Sequence, residues 1–293
     1  MKIIDTTTYF EESMMMDIRF NILNSYVDKF IVCESLYTHS GKKKEINFDV
    51  NDYPKFKNKI THLILKDEPN DLNKNENISV KDKRLNSIYR IRDQRNYIKI
   101  FLNEFSPEDY IIYSDNDEIP NLDLHNIKKE NSKIIIFEQG LYYYKFNLLC
   151  DRIKWYGTRA IKKKYLIDFE WLRQIKPKKY PFYRIDTLFK KDKYTNLKIL
   201  NNGGWHFTRV ISPEEIHEKE LDAEHHDEYR ASNKNPERIR DLIKRRMIDH
   251  DHLADSRDNK YGKEFALKQL SLDSMPLYIK ENPDKYKEFL DLE

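Results

Sequence analysis

Apolar positions along the first third of the chain keep two different rhythms. Residues 2–9 alternate and are β-branched (Ile3, Ile4, Thr6, Thr7, Thr8), which predicts a strand. Residues 12–26 then set Met15, Ile18, Ile22 and Tyr26 on one helical stripe, and residues 27–33 return to a short apolar run that ends at Glu34. Strand, helix and strand joined by short connections predict a mainly parallel α/β sheet covered by helices. Another strand is expected at residues 60–65, followed by a polar loop over 66–82 and a long helix over 84–105 with Ile88, Ile91, Ile98, Leu102 and Phe105 on its apolar side.

Further on, residues 110–113 (Tyr-Ile-Ile-Tyr) read as a buried strand, residues 121–130 as a helix and residues 134–137 as a strand. The aromatic runs at 141–147 and 153–161 predict a hairpin, on which Tyr143 and Trp155 either fill core or offer faces for a sugar ring. Residues 162–200 are basic and broken by proline, without a clear period. From Pro213 on the pattern reads as helical, over 213–230, 236–249, 262–270 and 276–291. The expected organisation is one α/β domain over residues 1–210 with a helical extension, 211–293, packed on it.

The chemistry concentrates where the strand at 110–113 runs into Ser114-Asp115-Asn116-Asp117-Glu118 before Pro120. Carboxylates at the carboxyl end of an apolar strand stand where open α/β sheets bind ligands, and an unpaired cluster repels itself unless a cation or a base is near. Asp115 and Asp117 can turn oxygens to one hard divalent cation, such as manganese or magnesium, with a diphosphate filling its remaining positions. Asn201-Asn202-Gly203-Gly204-Trp205-His206 holds two of only six glycines, which implies backbone held close to something, and His206 is the expected third metal ligand. Arg95 falls on the apolar stripe of its helix and needs an anion: a core carboxylate, the acid cluster or a diphosphate. Glu34, at a strand end, either caps the loop that follows or faces a ligand.

Composition narrows the alternatives. The 53 basic and 50 acidic residues nearly cancel and are interspersed, so no basic footprint marks a nucleic-acid binder. No stretch is long and apolar enough for a membrane span and no signal-peptide pattern opens the chain, from which a cytoplasmic location is expected. Two cysteines, Cys33 and Cys150, form neither a disulfide framework nor a metal cluster. Oligomeric state is left open by these patterns.

Seven stretches resemble glycosyltransferase family 17, the family of the enzyme that adds the bisecting N-acetylglucosamine to N-glycans. They are residues 9–12 through 18–20, 27–34, 92–96, 114–120, 204–207, 226–229 and 276–292, in the family's order. The resemblance implies a GT-A-like nucleotide-sugar fold and inverting transfer from a UDP-sugar, N-acetylglucosamine first, to a glycan or other hydroxyl acceptor. Asp115, Asp117 and His206 would hold the cation, with Glu34, Arg95, Asp115 and Trp205 on the donor. An inverting transfer needs a general base, for which Glu138, Asp186 and Glu228 are the candidates, Glu228 first because it lies in a family-like segment and Asp186 next. The rivals are a metal-dependent sugar nucleotidyltransferase, which commonly carries a Gly-rich phosphate loop missing here, and an inactive carbohydrate-binding protein, which would not need the acids.

Overall fold

A computed structural model describes residues 1–292 except 76, 78, 179, 182, 185–188, 191–192, 195, 223–228, 231, 233 and 255–260. The first strand β1 (Ile3–Tyr9), helix α1 (Ser13–Leu23), strand β2 (Lys29–Ser35) and strand β3 (Ile60–Leu65) follow the rhythms of the sequence. They pair parallel, β1 with β2 and β2 with β3. Helix α2 (Val80–Tyr97) continues as a 3-10 segment (Ile98–Glu104), and β4 (Tyr110–Tyr113) returns beside β1, also parallel.

Beyond β4 the chain shuttles between two sheets. Strands β5 (Glu118–Pro120), β7 (Gln139–Tyr143), β8 (Leu148–Trp155) and β11 (Gly204–Thr208) belong to a second sheet, while β6 (Ile134–Phe137), β9 (Arg159–Lys162) and β10 (Leu197–Leu200) extend the first. The first sheet has the order β10-β6-β9-β4-β1-β2-β3, with β9 antiparallel to both its neighbours. Each of the steps β4 to β5, β6 to β7, β8 to β9 and β10 to β11 therefore crosses the seam between the sheets.

Both faces of the first sheet are covered, so its central strands place apolar side chains on both sides rather than on one. Ile3, Phe30, Val32, Tyr110, Ile112 and Ile135 pack with Met15, Ile18 and Phe20 of α1 on one face. Ile4, Ile31, Ile111, Tyr113, Ile134 and Ile136 pack on the other with Ile98, Leu102 and helix α3 (Phe169–Gln174). One residue of α1 breaks the apolar pattern: Arg19, wholly buried.

Three element expectations are corrected. Residues 121–130 form turns with one 3-10 segment (Ile127–Lys129), because Asn121 and Asn126 accept hydrogen bonds from the nearby Leu124 and Lys128 amides and so compete with a helix. The aromatic hairpin joins β7 to β8, while residues 159–162 leave it for the first sheet. The C-terminal region carries helices α4 (Pro213–Asp222), α5 (Pro236–Lys244) and α6 (Leu277–Glu281), yet β12 (Met247–His250) pairs with β13 (Tyr261–Ala266), and β14 (Lys268–Gln269) adds to β8. Phe265 and Leu267 sit two apart and turn to the same apolar cluster, a strand's period, where a helix was expected. Ile88, expected on the inner side of α2, is exposed.

Candidate active site

The acid loop, residues 114–117, is the crossing from β4 to β5, and its backbone is held from below by Arg19. This guanidinium spends its donors on both oxygens of buried Asp5 (2.8 and 2.6 Å), on the Ser114 hydroxyl (2.7 Å) and on the Glu118 carbonyl (2.9 Å). A planar fork with five donors can satisfy a carboxylate and a turn of backbone at once, which lysine cannot. Asn116 ties the loop sideways, donating to Glu12 at 2.5 Å, while Glu12 also takes the amides of Phe10 and Glu11 and an ion pair with Lys219 of α4. Burial would raise the Glu12 carboxyl, but Lys219 and these amides bring it down to about 2.

Glu118 is the buried centre of a second network. Its carboxylate takes both terminal nitrogens of Arg173 on α3 (2.8 and 2.6 Å), the Trp155 indole (2.6 Å) and the Asp115 amide (3.1 Å). Gly157 makes room for it, since a Cβ there would fall inside the Glu118 carboxylate. Arg173 also reaches Asp115 (3.0 Å), whose other oxygen accepts from the Tyr113 hydroxyl (3.2 Å) and faces Arg95 (3.6 Å). Burial disfavours the charged Asp115, but Arg173 and Arg95 outweigh it and hold its carboxyl well below the usual range. Arg95 is itself fixed by Tyr113 and Glu170. Of the partners expected for it, the acid cluster and a neighbouring carboxylate are those it meets.

Asp117 stands apart from this arginine network. Its carboxylate lies 3.3 Å from Nε2 of His206, which β11 brings opposite Glu118 in antiparallel register. The imidazole packs on the Trp155 ring at 4.5 Å between centroids, and its Nδ1 is buried without a hydrogen-bond partner among the described residues. Burial would lower the imidazole's pKa, but the Asp117 carboxylate raises it on balance. The register that places His206 depends on Gly204, whose φ of +131° and approach to the Ile119 carbonyl exclude a side chain.

A cavity of about 360 Å³ opens over these groups. Asp115, Asp117, Glu118, His206, Trp155 and Arg95 line it, together with Tyr9 and Phe10 at the end of β1 and His39 in the loop after β2. The volume is within the range of small-molecule sites, and the position is the carboxyl edge of a parallel sheet.

The sequence-predicted residues divide on this geometry. Asp115, Asp117, Arg95 and His206 come together. The set of three metal ligands does not, because Asp115 is occupied by two arginines, and among the described residues no three His, Cys, Asp or Glu side chains cluster as a metal cage. Asp117 and His206 remain, close enough for one ion with bonds of about 2.1 Å to touch both; this pair fits a cation completed by oxygens from elsewhere. Glu34 is corrected to a loop anchor: wholly buried, it takes Lys44 (2.5 Å), the Asn47 and Phe48 amides (2.9 and 3.1 Å) and His62 (3.3 Å), and has no place in the cavity lining. Trp205 turns to the opposite face of β11 from His206, as alternate strand positions must, and donates to the Ser274 carbonyl. Tyr143 is core, bonded to His252. Asp186 and Glu228 lie outside the described residues. Sequence reading missed Arg19, Arg173 and Gly157.

No curated protein matches the chain. Among solved structures, a glycosyltransferase involved in glycosylation of the major capsid of PBCV-1 is 11% identical, with a TM-score of 0.31 over 69% of this chain and 82% of that one. The inositol-1-phosphate CTP transferase from T. maritima is 9% identical, with a TM-score of 0.32 over 74% and 93%. Likenesses this loose carry no argument about the site. No helix among the described residues is long and apolar enough to cross a membrane. The family comparison is direct: residues 1–165, which include β1, α1, Arg19, Arg95 and the whole acid loop, match glycosyltransferase family 17. That match takes in more than half of the 293 residues, and the chain, a glycosyltransferase, belongs to glycosyltransferase family 17.

Proposed function

We propose that this glycosyltransferase moves a sugar, N-acetylglucosamine first among candidates, from a UDP-sugar to a hydroxyl of a glycan or related acceptor with inversion, and that it works with a divalent cation, manganese or magnesium. The observation that carries the reading is the pairing of Asp117 with His206 over a cavity at the carboxyl edge of the sheet. A cation bound there would supply Lewis acidity to the diphosphate as the leaving group separates. Asp117 and His206 hold and orient that ion. Arg95 and Arg173 keep Asp115 ionised and fixed, so that the loop meets the donor without rearranging, which is the preorganisation that electrostatic stabilisation requires. Tyr9, Phe10 and His39 line the part of the cavity formed by the ends of β1 and β2, where nucleotides sit in sheets of this kind.

The test is a panel of UDP-sugars with and without manganese, read by UDP release and by thermal shift. One UDP-sugar should stabilise the protein only with the metal, and Asp117→Asn should cut UDP release by about 10²–10³-fold. NMR of the product's anomeric proton reads inversion directly. The proposal fails if no UDP-sugar gives a metal-dependent shift and Asp117→Asn leaves turnover unchanged.

A further inference from the structure

A second cavity, also about 360 Å³, meets the first across Glu12, Asp117, Thr208 and Lys219, which line both. The Glu12–Lys219 ion pair stands at this boundary, and Asp117 is open to both sides. The far walls of the second cavity differ in kind from the first. Met14 and Met15 come from α1, Val210 and Ile211 follow β11, Ile216 lies on α4 and Phe289 belongs to the C-terminal tail. These are the edges of two separate apolar clusters left facing one another.

We propose that this second cavity is the acceptor site, and that it takes an uncharged glycoside carried on an apolar aglycone. The assignment rests on the donor reading given above for the first cavity. An acceptor hydroxyl must reach the anomeric carbon of a donor whose diphosphate lies near Asp117, so its site has to adjoin that carboxylate; the second cavity does. Its apolar walls match an alkyl or aryl group, and the unbranched Met14 and Met15 side chains accommodate varied shapes there. Charge selects against an anionic carrier. The two cations in the lining are already paired, Lys219 with Glu12 and Arg209 with Glu220 at 2.7 Å, while Glu11 and Glu215 add two further carboxylates. A phosphate-linked acceptor would meet these acids without a free base among the described lining residues.

The experiment compares p-nitrophenyl glycosides of glucose, galactose, mannose and N-acetylglucosamine with their methyl counterparts and with glucose 1-phosphate. Binding is followed by ligand-observed NMR on the full chain with UDP and manganese present. At least one aryl glycoside should bind roughly tenfold or more tightly than its methyl counterpart, and glucose 1-phosphate should not compete with it. Ile211→Asp and Met14→Gln should each weaken that binding at least tenfold while the UDP-induced thermal shift persists, which also shows that each variant is folded and its donor site intact. Equal binding of aryl and methyl glycosides, no binding by any aryl glycoside, competition by glucose 1-phosphate, or aryl binding unchanged in both variants would each overturn the assignment. Loss of the UDP shift in the unmodified protein would instead count against the donor reading.

Discussion

Gly157 shows how little space the centre has. The residue borders Glu118 so closely that a single methyl group would displace the carboxylate, and with it the Arg173 fork and the Trp155 indole that Glu118 holds. Gly157→Ala is expected to lower stability by about 1–3 kcal/mol, the usual range for overpacking, and to weaken UDP-sugar binding in the same titration. A variant with unchanged melting temperature and unchanged donor affinity would show that the loop carrying Gly157 can move aside. Arg19 is legible only in part from the sequence. Its place on an otherwise apolar helical face marks it as buried, but nothing local tells that its partners are the Asp5 carboxylate and the carbonyl groups of a turn nearly a hundred residues later. Asp115 and Asp117 were legible as a pair because they are neighbours in sequence. Their division of labour was not, since it depends on Arg173, which comes from a short helix in a basic, proline-broken stretch. A local signal did exist there: Asp168 accepts a hydrogen bond from the Trp171 amide as the N-cap of α3, with Glu170 in its first turn.

At the scale of elements, β1 to β4 and β6 of the first sheet could be read closely from their short apolar and β-branched runs, whereas β9 was merged with the aromatic hairpin and β10 lay in the stretch without a clear period. Helices were harder where polar side chains decide the ends. Helix α2 begins at Val80, four residues before its apolar stripe would place it, because Ser79 accepts from the Asp82 amide and bonds its carboxylate in return. Ser79→Ala should therefore cost about 1 kcal/mol and fray the first turn, seen as faster amide exchange over residues 80–83 with the exchange around Arg95 unaffected. An equal rise along the whole helix would place the cap's effect elsewhere. The strands β12 and β13 are hidden within the helical reading of the C-terminal region because charged residues interrupt their alternation.

For the whole molecule, acid should loosen the fold before it discharges the carboxylates. Burial and the Arg95 guanidinium lower the His39 pKa to about 4, and burial with Arg209 does the same for His252. Both imidazoles stay neutral in the folded chain while the unfolded chain takes up protons from about pH 6.5 downward. Stability from this source is complete above that pH and falls as the pH drops toward 4. The Glu12 carboxyl, at about 2, adds its own loss only below about 4.5. Melting temperatures taken at intervals from pH 7 to 4 should decline, and the decline should flatten in His39→Gln and in His252→Gln. Slopes indistinguishable from the unmodified protein would assign the acid sensitivity to other groups. Sheet order was not legible at this scale: the sequence predicts alternating elements, whereas the shuttling between two sheets follows from pairings such as β9 between β4 and β6.

The seam between the sheets has a bearing on which fragment of this chain could ever work alone. Residues 1–165 carry the family signature, but Arg173 and His206 both arrive later, on α3 and β11. Cut at that point, the polypeptide would keep Glu118 and Asp115 with no Arg173 to neutralise them, and would lose the strand that joins β5 to β7. Such a truncation keeps the acid loop but forfeits the counter-charge that holds it in place, so the indivisible unit of this enzyme is longer than the stretch over which the family matches.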